Sequence, residues 1–223
     1  MIRKSVSMAD QVFDQIEDDI INGKLERGKI VTEGKLAAEL GISRTPVREA
    51  LARLEHDHMI TPTGSGMMII GISDEDAACI YDIRERIEGL AAALAAKNAT
   101  DEELREMKDT LDLQEYYISK EDFDNGGEMN KKFHEILNKS SKSPILHQTL
   151  HELHRKVRRY RKNATYNKND ATTSYKEHVA LYDAIAAHDE KRAEELAIEH
   201  VRHARVRMVK SMEKSMESKG AAE

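Results

Sequence analysis

Residues 43–51, with the sequence SRTPVREAL, constrain the fold more than any other segment of this chain. Thr45 is a residue type that caps helices, and Pro46 suits a first helical position, where a backbone N–H would have no partner. We therefore predict a helix that begins at Pro46. Arg44 lies at its tip and Arg48 in its first turn, where guanidinium groups can contact guanine edges and phosphates if the helix enters a major groove. An ordinary surface helix with two arginines is the competing interpretation.

The flanking sequence favours the DNA-reading interpretation. A helix is predicted from Ser7 to Asn22, with Phe13, Ile16 and Ile20 at helical spacing. A second helix is predicted over residues 32–40, before Gly41, and its inward residues would be Leu36, Ala37 and Leu40.

Two extended segments follow the third helix. Residues 59–62 and 67–72 read as strands joined across Gly64, Ser65 and Gly66, which predicts a β-hairpin. Three helices and a hairpin make a winged helix-turn-helix domain, and we place it at residues 1–73.

The overall charge does not favour DNA binding. The formal net charge is −6, and residues 1–73 carry 9 Lys and Arg against 11 Asp and Glu, a net of −2. Binding would therefore depend on cations that share one surface, namely Lys35, Arg44, Arg48 and Arg53.

The composition is that of a mostly helical protein of two domains, with 39% hydrophobic and 34% charged residues. No leader pattern opens the sequence and no apolar segment approaches membrane-spanning length, so we expect a cytoplasmic protein. Cys79 is the single cysteine, which excludes an intrachain disulfide, and we expect it to be buried.

The second half of the chain predicts an all-α bundle of six helices over residues 74–215. A tail at residues 216–223 is predicted to be disordered. The helices are predicted at residues 74–97, 101–118, 122–139, 144–164, 174–187 and 190–212.

Three histidines of this half fall on inward helix faces. Asn130 and His134 are one turn apart beside an apolar stripe, and His178 and His200 lie among apolar residues of two later helices. If they converge, their nitrogens suit zinc, nickel, copper or iron. Histidines hydrogen-bonded in a core are the alternative.

A rival set of histidines lies on one face of the fourth bundle helix. His147, His151 and His154 are turned away from its apolar seam, and we interpret them as solvated or flanking.

Residues 8–72 resemble the N-terminal domain of the GntR family of bacterial transcription regulators, in IINGKLERGKIV, KLAAELGISRTPVREALARLE and TGSG. The resemblance implies a palindromic DNA operator bound by a homodimer. Arg44 and Arg48 would read bases, and Thr45 would hold a phosphate. Gly64 or Gly66 would let the wing approach the duplex. The family usually has Arg at the position of Gly34, so a DNA contact expected from the second helix is either missing here or made by Lys35 instead.

Residues 77–210 resemble the ligand-binding domain of the FadR subfamily, in its VanR-like branch. The similar segments are IYDIRERIEGLAAALAA, NKKFHEIL and YKEHVALYDAIAAHDEKRAEELAIEHV. The resemblance implies a divalent metal, zinc or nickel, bound by Asn130, His134, His178 and His200. It also implies a small carboxylate effector, for which Arg84 is either the pocket cation or a surface partner of Glu88.

The sequence thus predicts a metabolite-responsive DNA-binding regulator, a repressor, and not an enzyme. One alternative is a regulator for which the metal itself is the signal. The other is a helical metalloenzyme, for which no nucleophile or acid–base pair can be assigned beside the histidines, although Glu135 and Glu177 are adjacent to two of them in sequence.

Overall fold

A computed structural model describes the backbone of residues 7–157 and 168–220. The chain divides into two compact units, Met1–Asp76 and Ala77–Glu223. Each unit has its own hydrophobic core.

The N-terminal unit contains three helices and a three-stranded antiparallel sheet of order β1-β3-β2. The predicted hairpin is present, and Ile60 pairs with Ile69 across it. A third strand, β1, was not predicted, since two residues give no readable alternation. In chain order the elements are α1 (Met8–Ile21), β1 (Ile30–Val31), α2 (Glu33–Leu40), α3 (Arg44–His56), β2 (Ile60–Thr63) and β3 (Gly66–Ile69).

Capping residues fix α1 and α2 where the sequence predicts them. Ser7 and Asp10 form a reciprocal capping box at the start of α1. Thr32 accepts a hydrogen bond from the N–H of Lys35, and Gly41 ends α2 in the left-handed conformation at φ 68°. One inward prediction is wrong, because Leu40 is exposed in the last turn of α2.

Helix α3 begins two residues earlier than Pro46. Ser43 is its N-cap, and Arg44, Thr45 and Pro46 form the first turn. Pro46 is tolerated there because the first four N–H groups of a helix have no intrahelical acceptor. Val47, Ala50, Leu51 and Leu54 pack inward, so the other face of the helix carries the arginines.

The C-terminal unit contains six helices among the described residues, in agreement with the predicted number. They are α4 (Asp74–Asn98), α5 (Asp101–Ser119), α6 (Phe123–Ser140), α7 (Pro144–Lys156), α8 (Lys168–Ala186) and α9 (Glu190–Gly220). Their core is rich in small residues on α4 and in larger apolar residues on α6 and α8. A Cβ atom at Gly89 would lie 2.9 Å from Ile198, so α4 and α9 approach closely there.

Two helix boundaries in this unit differ from the prediction by several residues. Helix α8 begins at Lys168 rather than Ser174, because Thr172 bonds the Lys168 carbonyl and Asp170 suits a first turn. Helix α9 continues to Gly220, so the predicted tail is helical over 216–220. Residues 158–164 of the fourth predicted helix lie outside the described residues.

The Cys79 side chain is exposed, so its predicted burial is wrong. None of the described helices combines the length and the hydrophobicity needed to cross a membrane.

Candidate metal centre and nucleic-acid interface

Three histidines from separate helices meet inside the C-terminal unit. His134 of α6, His178 of α8 and His200 of α9 each offer a ligand nitrogen, and these atoms all lie within 4.8 Å of one another. The ring centroids are 5.0 Å apart for His134 and His178, 5.2 Å for His134 and His200, and 4.8 Å for His178 and His200. All three side chains are buried. Among the described residues this is the one cluster of its kind.

Acceptors behind two of the rings set their orientation. His178 Nδ1 donates to Gln114 Oε1 at 3.2 Å, and His200 Nδ1 donates to Glu177 Oε2 at 2.7 Å. Because an amide or carboxylate oxygen can only accept, the Nδ1 atoms carry the protons and the Nε2 atoms of neutral rings carry lone pairs. His134 Nε2 is buried and has no hydrogen-bond partner. The arrangement leaves imidazole nitrogens able to coordinate a cation.

Burial favours the neutral form of His134 and His200. It holds the pKa of His134 well below 6.5, and the proximity of His178 and His200 lowers it further. The pKa of His200 is also lowered, mainly by burial, although Glu177 acts in the opposite direction. Burial alone would raise the pKa of Glu177, but hydrogen bonds from His200 and Arg207 bring it down to about 2. Neutral imidazole is the form that binds metals.

Asn130 lies one turn before His134 on α6, and its side chain is buried. An amide oxygen is an ordinary though weak metal ligand compared with a carboxylate. The four residues implied by the resemblance are therefore all buried, on three helices of one unit.

Arg84 belongs to a buried ionic cluster near His134. Its Nε donates to Glu88 Oε1 at 2.6 Å, and His154 Nε2 lies 2.8 Å from the same oxygen. Burial alone would raise the pKa of Glu88, but Arg84 and His154 hold it well below 4.5. The guanidinium also lies over the ring of Tyr81 at 4.6 Å.

This cluster contains the pair with Glu88 that was one of the two roles considered for Arg84. The arginine pairs with Glu88, yet both are buried rather than on a surface, and Nη1 of Arg84 has no hydrogen-bond partner. His154 is nearly buried and its ring centroid lies 5.5 Å from that of His134, so it borders the cluster and is not solvated. Of the two predicted alternatives for this residue, solvated or flanking, the structure shows the flanking one.

Sequence reasoning missed Gln114 and the full role of Glu177. Glu177 accepts hydrogen bonds from His200, His203 and Arg207, so it is not available as a general base. Glu135 is exposed. The adjacency of Glu177 to His178 in sequence indicated that this carboxylate lies near the histidines. Its hydrogen bond, however, is with His200 on the next helix.

The proposed reading residues of α3 are exposed in its first turn and just beyond. Arg44, Thr45 and Arg48 face solvent, and Arg48 makes a two-bond contact with Glu33 of α2. Arg53 lies elsewhere, since it bonds Asp10 at 2.7 Å and covers the ring of Phe13 at 4.0 Å. Arg53 therefore does not belong to the DNA-binding surface that was expected to include four cations.

Lys35 and the wing glycines have different surroundings. Lys35 Nζ lies 4.0 Å from Glu39 and stays largely exposed. Gly64 is exposed at the hairpin tip with open space around its Cα. Gly66 has φ 150°, and a Cβ atom there would lie 2.5 Å from the Val31 carbonyl oxygen. The sheet itself requires glycine at position 66, whatever the wing contacts.

Comparisons with known proteins agree with this architecture. Residues 8–67 match the bacterial regulatory proteins of the gntR family, and residues 79–203 match the FCD domain. The HTH-type transcriptional regulator YdhC of Bacillus subtilis is 28% identical over 200 residues, which cover 86% of this chain and 87% of that protein. The gluconate operon transcriptional repressor of Bacillus licheniformis is 32% identical over 121 residues, covering 54% of this chain and 50% of the repressor.

A solved structure shows the same fold. Escherichia coli McbR/YncC superposes with a TM-score of 0.75 at 23% sequence identity, covering 93% of this chain and all of that one. These relatives are transcription regulators and not enzymes. The chain therefore belongs to the GntR family of DNA-binding transcription regulators, with an N-terminal winged helix-turn-helix and a C-terminal FCD domain.

Proposed function

We propose that this regulator is a repressor whose DNA affinity is controlled by a small carboxylate bound at a metal ion in the C-terminal unit. The observation that carries the proposal is the convergence of His134, His178 and His200, with ligand nitrogens within 4.8 Å of one another. A buried His134 Nε2 without a hydrogen-bond partner would be costly unless a cation or water met it.

The donor set fits a divalent transition metal, zinc or nickel. Three neutral imidazoles and the amide oxygen of Asn130 would hold it, and none of these ligands carries negative charge. Such an ion would keep most of its charge and would bind an anion at its remaining positions. A carboxylate oxygen is the ligand that this electrostatic situation favours.

Arg84 would orient the other end of the effector. Glu88 occupies its Nε, whereas the buried Nη1 has no hydrogen-bond partner and could donate to a second polar group. An acid with a second oxygen function, such as a sugar acid or hydroxy acid, would satisfy both the metal and this donor.

The N-terminal unit would act on DNA as part of a homodimer. Two copies of α3 would enter successive major-groove faces of a palindromic operator. An effector that couples to the operator by about 1–3 kcal/mol would change operator affinity by roughly 5- to 150-fold. The matched repressor from Bacillus licheniformis acts on a gluconate operon by its name, which supports repression and a sugar acid as the first effector to test.

The first experiment is metal analysis of the full chain purified without chelator. We expect about one zinc or nickel per chain in the wild type and in His151→Ala, whose side chain is exposed on α7. His134→Ala and His200→Ala should lose the metal while circular dichroism shows intact helices. Metal retained by both variants would refute the site.

The second experiment separates the metabolite sensor from the metal sensor. Operator fragments selected from a random duplex pool are titrated with the metal-loaded protein, with and without gluconate and related acids. A metabolite sensor responds to an acid at saturating metal, whereas a metal sensor responds to the metal alone. A response to metal alone would replace the carboxylate proposal with the alternative.

A further inference from the structure

Glu33, in the first turn of α2, holds the guanidinium group of Arg48 from one side. Arg48 Nε donates to Glu33 Oε1 and Nη2 donates to Oε2, both at 2.9 Å. Two parallel bonds between planar groups fix the plane of the guanidinium as well as its position.

The contact leaves one complete edge of Arg48 available. A guanidinium has five N–H donors, one on Nε and two on each Nη. Glu33 uses two of them along the Nε/Nη2 side. Of the remaining three, one on Nη1 and one on Nη2 form the end of the side chain, the pair that contacts O6 and N7 of guanine.

Stability is a weak reason for this pair. The Arg48 side chain is 65% exposed and that of Glu33 36% exposed, and ion pairs at such exposure contribute little to folding. Orientation is the larger effect, because a long side chain fixed before DNA arrives loses less rotational freedom on binding.

We propose that Glu33 is a positioning residue for base reading, which turns Arg48 so that its outer edge meets a guanine in each operator half-site. The inference rests on the DNA binding of the GntR domain and not on the proposed metal site. Glu33 does not itself need to touch DNA.

The charge of Glu33 gives the proposal a distinctive signature. The hydrogen bond from Arg48 lowers the pKa of this exposed carboxyl, so it is ionised at neutral pH. A negative charge beside Arg48 weakens attraction to phosphates on every sequence. Glu33 should therefore increase discrimination between sequences without increasing affinity for DNA in general.

Arg44 also lies against the first turn of α2, next to Glu33. Its Nη2 lies 3.4 Å from the position a Cβ atom would take on Gly34. The absence of a side chain at position 34 lets this guanidinium lie against α2, so adjacent residues 33 and 34 support both arginines.

The test is sequence selection by the full-length protein from a random duplex pool, followed by titration of the enriched duplex and a scrambled one. We compare wild type with Glu33→Gln, Arg48→Ala and the double variant. Glu39→Gln is the matched control, since Glu39 is an exposed acid of the same helix.

Glu33→Gln should lose about tenfold of the affinity ratio between enriched and scrambled duplexes, and it should lose the guanine preference at one position of each half-site. Its affinity for the scrambled duplex should stay the same or rise. Arg48→Ala should lose the same guanine, and Glu33→Gln should have no further effect on base preference in that background. Glu39→Gln should keep the wild-type preference.

Three results would overturn the inference. One is an unchanged guanine preference in Glu33→Gln, even if binding to all sequences tightens. Another is an equal loss of affinity for both duplexes, which indicates damage to α2. The third is a further loss of preference in the Arg48→Ala background. If wild type enriches no sequence at all, base reading by this domain fails, and the inference fails with it.

Discussion

At the scale of single residues, the histidine cluster depends on the groups behind the rings. Gln114 supports His178 through a neutral amide, whereas Glu177 supports His200 through a carboxylate. Partners of this kind fix the ring tautomer and raise the basicity of the coordinating nitrogen. The metal affinity of the cluster should therefore fall on substitution of these supporting residues, even though they are not ligands themselves.

Gln114→Met tests this support directly. The variant keeps the volume of a buried side chain but leaves His178 Nδ1 without its acceptor, so we expect the metal affinity of the full chain to fall about 10- to 100-fold. Competition with a chromogenic chelator measures it. Gln148→Met, at an exposed position on α7, should leave the affinity unchanged. Equal affinities in the two variants would contradict the role of Gln114.

Arg84 and Glu88 form the other residue-scale test. Arg84→Met leaves a buried carboxylate without its main partner, so we expect a loss of about 3–5 kcal/mol in the free energy of unfolding. The double variant Arg84→Met with Glu88→Met should recover part of that loss, because an apolar pair needs no compensation. Urea titrations measure both. A double variant less stable than Arg84→Met would show that the unpaired carboxylate of Glu88 is not the cause of the loss in the single variant.

At the scale of elements, strand β1 explains why position 66 is a glycine. The sequence analysis gave this glycine a role in the approach of the wing to DNA. Gly66 starts β3 beside Val31, where a side chain would meet the Val31 carbonyl oxygen. The wing is therefore tied to the segment between α1 and α2. A short strand can have such an effect because its backbone approaches its neighbour closely.

Gly66→Ala should accordingly destabilise the N-terminal unit by more than about 1 kcal/mol, since φ 150° and the carbonyl both oppose a Cβ atom. Gly64→Ala, at the open tip, should unfold like the wild type. Thermal unfolding followed by circular dichroism compares them. If both alanines are equally tolerated, the close approach of β1 and β3 is not as the structure has it.

At the scale of the whole molecule, burial of neutral histidines links stability to pH. The pKa values of His134 and His200 are lowered in the folded protein, whereas 6.5 describes them in the unfolded chain. Above pH 6.5 both states are neutral at these positions. Below it the unfolded chain gains protons that the folded protein does not, so stability falls with pH.

The metal-free protein should therefore lose about 1.4 kcal/mol per pH unit for each histidine that stays neutral, beginning near pH 6.5. Below pH 4.5 the loss continues, because Glu177 has its pKa at about 2 and stabilises only while ionised. Urea midpoints between pH 4 and 8 measure this. His134→Phe should reduce the slope and His151→Ala should not; identical slopes in both would contradict the burial effect.

Much of the fold could be predicted because its signals are local. Ser7, Thr32 and Gly41 fix helix ends through bonds to their own neighbours, and the apolar periodicity of six segments predicts the bundle. The start of α8 was missed because Thr172 folds its hydroxyl back onto the helix, where the sequence shows only a polar segment. Leu40 was misplaced because periodicity gives a face and not what covers it. Cys79 was misplaced because its expected burial rested on residue type alone.

The sequence by itself determined the inward face of the helices, Leu40 and Cys79 excepted, and the turn that carries Arg44 and Arg48. Both follow from the spacing of side chains along one helix. It did not determine which groups meet. Only tertiary structure placed Glu177 against His200, His154 against Glu88, and Glu33 against Arg48, because each pair joins different helices. Distances between helices depend on how the whole core packs, and no single segment contains that information.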